Sequence, residues 1–289
     1  MTVPVKHAGW ADNSTTIVDG FSLEMTAKDV LSLREAASHI PRGASVAVTF
    51  LAGETFEARL DAIRELRALG FEPMPHLSAR RIRSSSEFEG FLVSVASGYR
   101  VKQCFVIAGD AAAPEGPYSD SMALLTSGAF ERSGISAIGI GGHPEGNPRM
   151  SGEQCWTVLQ QKCSEIASRE MEPFIVTQFA FDAERVLAWL SQLRARGIDA
   201  PVRIGVPGPA GIKVLLRFAA RCGVAASGAV LAKYGISLTN LFGTAGPEKM
   251  INTLAAGLRP EHGPVSLHFY PFGGLAKTAN WVSEYARSR

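Results

Sequence analysis

Eight short apolar runs, each closing on polar residues or glycine, recur along the chain and constrain its fold more than any other feature. They are FSLEM (21–25), SVAVTF (45–50), EPMPHLS (72–78), CFVIAGD (104–110), ISAIGIGG (135–142), PFIVTQF (173–179), VRIGVPG (202–208) and VSLHFYPF (265–272). Runs of this length without clean alternation suit strands covered on both faces, as in a parallel sheet. The segments between them read as helices. In ETFEARLDAIRELRALG (54–70), Phe56, Leu60, Ile63, Leu66 and Leu69 form one apolar stripe, and Gly70 sits at the C-terminal cap. In DAERVLAWLSQLRARG (182–197), Asp182 is the N-cap, Val186, Leu190 and Leu193 make the inner face, and Gly197 ends the helix. The interval before the last strand is longer and carries two helical patterns, near 210–221 and 247–258. Eight alternating strand–helix units predict an α/β chain closed into a (β/α)8 TIM barrel, with an open doubly wound sheet as the alternative.

No second hydrophobic core is evident, so residues 20–289 read as one barrel domain and residues 1–19 as an N-terminal arm or tail. With a net charge of +2 the chain has no basic footprint for nucleic acid. It has no apolar run long enough for a membrane span and no apolar core of a signal peptide near the start, which predicts a cytoplasmic protein. The four cysteines (Cys104, Cys155, Cys163, Cys222) form no C-x-x-C pair and read as reduced thiols, and the six histidines show no metal-ligand spacing.

In such barrels the C-terminal ends of the strands line the pocket. Those ends are Glu24, Thr49, His76, Asp110, His143, Gln178, Gly208 and Tyr270. The fifth strand runs into IGIGGHPEGNP (138–148), which begins like a dinucleotide fingerprint at Gly139 and Gly141 but has Pro144 at the third position. Its glycines are expected to let a flat ligand approach the backbone rather than to cradle phosphate on a helix. The glycine loops VPGPAGIK (206–213) and PFGGLAK (271–277) follow the last two strands and read either as phosphate sites or as packing turns. SARRIRSSS (78–86) clusters Arg80, Arg81 and Arg83 at the rim, as a solvated face or a holder of anionic ligand groups.

In order and spacing these strand ends resemble the methylenetetrahydrofolate reductase family, a (β/α)8 barrel of about this length. FSLEM resembles the first-strand S-F-E-F-F, AVTF the second-strand S-V-T-Y, and PHLS the third-strand P-H-L-T. AGD resembles R-G-D, GGHPEGNP the H-P-E-A segment, VTQFAFD the I-T-Q-F-F-F-D, and LHFYPFGG the final F-H-F-Y-T-L-N. The resemblance implies interconversion of 5,10-methylenetetrahydrofolate and 5-methyltetrahydrofolate in one-carbon metabolism, serving methionine supply or the clearing of methyl groups. It places Glu24 on the catalytic acid and Asp110, Gln178 and Tyr270 on the folate. Thr49, His76, Gly109, Gly139, His143, Arg80 and Arg81 would then face a nicotinamide dinucleotide, NADH or NADPH, or FAD.

The departures from the family pattern fall where its usual members hold FAD. The arginine of R-G-D is Ala108, the tyrosine of A-Y-P-E is Gly139, and its proline and glutamate are Ile140 and Gly141. The flavin-phosphate lysine has no equivalent at its usual spacing, since Lys162 of LQQK lies several residues upstream. Each lost charge-assisted bond removes about 1.5–3 kcal/mol of cofactor binding. The chain is therefore similar to the flavin-free branch, in which hydride passes directly between nicotinamide and folate. The same reaction through bound FAD and a non-catalytic folate-binding subunit stand as alternatives, and the oligomeric state is open.

The chemistry asks for an acid. The methylene carbon accepts hydride only after the ring opens to an N5 iminium cation, and opening needs a proton on N10. Glu24, alone among apolar neighbours, suits that role if burial raises its pKa. Asp110 could accept from the adjacent N–H and NH₂ of the pterin edge, and Gln178 can both donate and accept. Phe179 and Phe181 read as core or as stacking partners.

Overall fold

The structure, a computed structural model, describes residues 16–224, 228–236 and 243–289. Most of the expected N-terminal arm lies outside them. Eight parallel strands close into a barrel: β1 (Ser22–Met25), β2 (Ser45–Val48), β3 (Glu72–Ser78), β4 (Gln103–Ile107), β5 (Ala137–Gly142), β6 (Glu172–Thr177), β7 (Val202–Pro207) and β8 (Val265–Tyr270). Each of the eight apolar runs contributes one strand, and β8 closes the ring between β1 and β7. The fold is the predicted TIM barrel, and the open-sheet alternative is discarded.

Helices pack outside this ring: α1 (Val30–Ala36), α2 (Phe56–Ala68), α3 (Ser85–Val93), α4 (Ser121–Leu125), α5 (Ala129–Ser133), α6 (Gly152–Ser168) and α7 (Ala183–Ala195). The α2 stripe forms where the periodicity places it, with Phe56, Ile63 and Leu66 buried. Asp182 caps α7 by accepting from Glu184 N and Arg185 N at 3.1 and 3.4 Å. A large apolar cluster fills the space between strands and helices, as burial of one face of each element demands.

Inside the barrel, alternate residues of each strand point inward and pack in layers. Ala47, Met74, Phe105, Phe174 and Val176 form the middle of this interior. Below them Arg203 lies over the Phe174 ring and donates to Ser45 Oγ at 3.1 Å and Gln103 Oε1 at 3.1 Å. Burial lowers the pKa of Arg203 to about 10. The lower end is thus filled, and the open end is the one where the strands finish.

Between β7 and β8 come α8 (Ile212–Cys222), α9 (Gly228–Tyr234) and α10 (Glu248–Gly257), followed after β8 by α11 (Leu275–Arg287). The two helical patterns expected here are α8 and α10, but they do different jobs. It is α10 that packs beside α7 on the outer wall. The contacts of α8 belong to the mouth instead: Phe218 stacks on Phe272 at 4.1 Å, Arg221 approaches Asp110 at 3.9 Å, and the following Gly223 abuts Pro148. These partners follow β8, β4 and β5, so α8 crosses over the open end.

Candidate active site

Glu24 sits on β1 between Leu23 and Met25, whose side chains are buried outside the barrel. Strand alternation therefore turns Glu24 inward at the mouth. Its Oε2 lies 3.8 Å from His76 Nε2 and 3.9 Å from His268 Nε2, with 21% of its side chain still open. Burial raises the Glu24 pKa, with His76 pulling weakly the other way. Burial also lowers His76 to about 4 and His268 to about 3, so both imidazoles are neutral at physiological pH. The group is a carboxyl between two neutral rings, an arrangement that favours the protonated acid.

The surroundings are apolar or hydrogen-bonded, with two exceptions. Tyr270 lies edge-on to His268 at 5.0 Å and donates its hydroxyl to Thr177 O at 3.0 Å. Gly205, between the two strands involved, has no side chain to block that crossing. The Thr49 hydroxyl and His268 Nε2 are buried and have no hydrogen-bond partner, a cost that a bound ligand would relieve. Behind Thr49 and His76, the fully buried Arg59 of α2 donates to both backbone carbonyls, at 3.1 Å for Thr49 O. Its guanidinium is caged by the rings of Phe50, Phe91 and Phe56 at 4.3, 4.8 and 5.6 Å. Burial takes its pKa to about 9.

The remaining expected residues divide. Asp110 stands at the rim, 63% exposed, and accepts from Arg81 at 2.5 Å, which with nearby Arg221 holds its carboxylate below the usual range. Gly109 just before it has φ +89°, a backbone conformation that favours glycine, and lies against Ser78. The last turn of α8 joins the two acids. Arg221 reaches Asp110, and Cys222 is near enough to feel the charge of Glu24. Gln178 continues β6 into the mouth, its Oε1 accepting from Phe179 N at 3.1 Å. His143 meets Asn147 at 3.4 Å, and burial together with the charge of Lys162 brings its pKa to about 4.

Three expectations need correction. Gly139 does not face an open cleft. It lies in register between Phe105 on β4 and Phe174 on β6, and a Cβ there would come within 2.8 and 2.5 Å of their rings. The glycine is required by the packed interior. Arg80 and Arg81 are neither a solvated face nor free phosphate ligands. Arg80 donates to Ser119 O at 2.8 Å and Ala111 O at 3.3 Å, while Arg81 holds Asp110, so both staple the loop after β4. Lys162, though misplaced in sequence, is close enough to His143 to influence it.

The glycine loops resolve as packing turns. Gly208 lies against Thr278, and Gly273 against Pro209 and Ala210. Phe179 and Phe181 are core, in an aromatic cluster with Tyr270, Phe272 and Tyr234. Among the described residues no group of histidines, cysteines and carboxylates could hold a metal ion, and the cysteines are free. No helix of the described residues is long and apolar enough to cross a membrane. A groove of 810 Å³ on the outer wall, lined by residues of α4 and α6 such as Met122 and Gln161, contains none of the strand-end residues.

His268 and Arg59 are residues of the site that the strand-end pattern does not mark. His268 was visible in principle, because VSLHFY places Ser266, His268 and Tyr270 on one face.

The fold and the family are shared with known proteins. Methylenetetrahydrofolate reductase 2 of Saccharomyces cerevisiae is 33% identical over 70 residues, a match spanning 24% of this chain and only 11% of that protein. A solved structure from Clostridium thermocellum, of an uncharacterized protein that binds two copies of 5-methyl-5,6,7,8-tetrahydrofolic acid, shares the fold. It covers 95% of both chains with a TM-score of 0.63 at 12% identity. Residues 26–270 match the family model of methylenetetrahydrofolate reductase, most of the chain, and the protein belongs to that family.

Proposed function

We propose that the protein interconverts 5,10-methylenetetrahydrofolate and 5-methyltetrahydrofolate by hydride exchange with NADH or NADPH, without tightly bound flavin. The observation that carries the reading is the Glu24 carboxyl, raised in pKa and set between neutral His76 and His268 at the open end of the barrel. That is the form of group needed to protonate N10 and release the N5 iminium. Once ionised, Glu24 stabilises the adjacent cation in a poorly solvated site.

The other residues bind and orient. Asp110 accepts from the pterin edge, a contact that draws it away from Arg221, which is 72% exposed and can withdraw. Gln178 and Tyr270 face the same end. A reduced nicotinamide would supply the hydride, and the unpartnered Thr49 hydroxyl and the neutral His143 are the polar groups that suit its ring and ribose.

Against flavin stand Ala108 in place of an arginine and the filled space beside Gly139. The partly buried Lys162, whose charge reaches His143, favours a second reading, the same reaction through FAD. Purified protein is expected to lack the visible absorption of an oxidised flavin and to reduce NAD+ or NADP+ with methyltetrahydrofolate. A stoichiometric flavin spectrum would turn the choice to the second reading. The resemblance to a methyltetrahydrofolate-binding neighbour also keeps a non-catalytic binder in view, for which an acid at N10 has no purpose.

A further inference from the structure

Ser22 and His268 lie opposite one another in the register of β1 and β8. Ser22 Oγ is 2.8 Å from His268 Nδ1 and 3.3 Å from Leu267 O. A hydroxyl has one proton. Given to Leu267 O, it leaves Oγ to accept from Nδ1–H, so that both ring and hydroxyl are satisfied. That tautomer makes His268 Nε2 a bare acceptor. The same atom is buried, has no partner, and faces Glu24 Oε2 at 3.9 Å. The distance is long for a hydrogen bond, as catalytic contacts often are before substrate closes on the site.

We propose that His268, held in one tautomer by Ser22, is the positioning residue for Glu24 and accepts the hydrogen bond of its protonated carboxyl at Nε2. This rests on the reading of Glu24 as the folate acid and deepens it. His76 sits at a similar distance, but its ring packs on Phe105 and no hydroxyl among the described residues sets its tautomer. The remaining charged and titratable groups around the pair are Tyr270 on β8, Cys222 on α8, Arg203 beneath His268 and Arg59 behind His76. None of them offers an acceptor to Glu24 from a fixed imidazole.

Infrared difference spectroscopy of the whole protein tests this, with the carbonyl stretch of protonated Glu24 identified by its loss in Glu24→Gln. His268→Asn keeps reach to Ser22 but falls short of Glu24, whereas His268→Gln reaches Glu24 but gives up Ser22. In His268→Asn the band is expected to move to higher frequency and to titrate at lower pH, and kcat for reduction of 5,10-methylenetetrahydrofolate to fall about tenfold with KM unchanged. His268→Gln should restore most of each. Ser22→Ala, which leaves the imidazole in place, should move the band the same way by less, and serves if the asparagine variant does not fold. A band and titration unchanged in both His268→Asn and Ser22→Ala, or no difference between Asn and Gln, overturns the proposal. A moved band in a protein that does not turn over folate defeats the functional reading alone, and an unmoved band in an active enzyme defeats only the role of His268.

Discussion

The guanidinium of Arg59, with no exposed surface, donates to the carbonyl oxygen of His76 from the helix behind it. Together with its bond to Thr49 O, this ties the ends of β2 and β3, and so two mouth residues, to one buried cation. Arg59→Met fills much of the volume but strands both carbonyls and breaks the aromatic cage. The expected loss is about 2–4 kcal/mol, read as a lower urea midpoint with an unchanged slope.

Gly139 separates two accounts of the flavin question. Because Phe105 and Phe174 already occupy its side-chain space, Gly139→Ala is expected to destabilise by about 1–3 kcal/mol. Gly139→Tyr should fail to fold rather than gain flavin affinity. Thermal melts check the first, and soluble yield the second.

Acid should unfold this protein through its buried histidines. His76 and His268 have folded pKa values lowered to about 4 and about 3 from a reference of 6.5. Between those values the unfolded chain binds more protons, so their stabilisation is present above pH 6.5 and is lost as pH falls toward 4 and then 3. Each contributes a slope of about 1.4 kcal/mol per pH unit in that window. Glu24, raised in pKa, works in the opposite sense: its stabilisation holds below the unfolded value and is lost as pH rises through the folded one. Denaturant titrations at pH 7, 6 and 5 should show falling stability, and His76→Asn should flatten the trend.

Asp110→Asn tests the rim. Its pair with Arg81 is at an exposed carboxylate, so stability is expected to change by no more than about 1 kcal/mol. The folate KM should rise about tenfold or more, with kcat within a few-fold, because an amide cannot accept two pterin N–H bonds. Steady-state kinetics beside a melt decides it.

The strands were legible because a doubly covered strand writes an apolar run that must stop where the pocket begins. Glu24 was legible for the same reason, as one carboxylate in such a run. Arg59 was not, since an arginine in EARLDAIREL reads as the polar side of a helix, and only the carbonyls of β2 and β3 show why it turns inward. The crossing of α8 over the mouth was hidden too. An amphipathic helix carries the same periodicity whether its apolar face meets the barrel wall or Phe272 at the mouth. The place of Gly139 depends on strand register, which a glycine does not record.

The most direct test of the account is reduction of 5,10-methylenetetrahydrofolate with NADH or NADPH by wild type and Glu24→Gln, side by side. The glutamine keeps the shape and the contacts to His76 and His268 but has no proton to give. A fall in kcat of about 10²–10⁴-fold, with folate binding retained, is the predicted result. Equal turnover by the two proteins would contradict it.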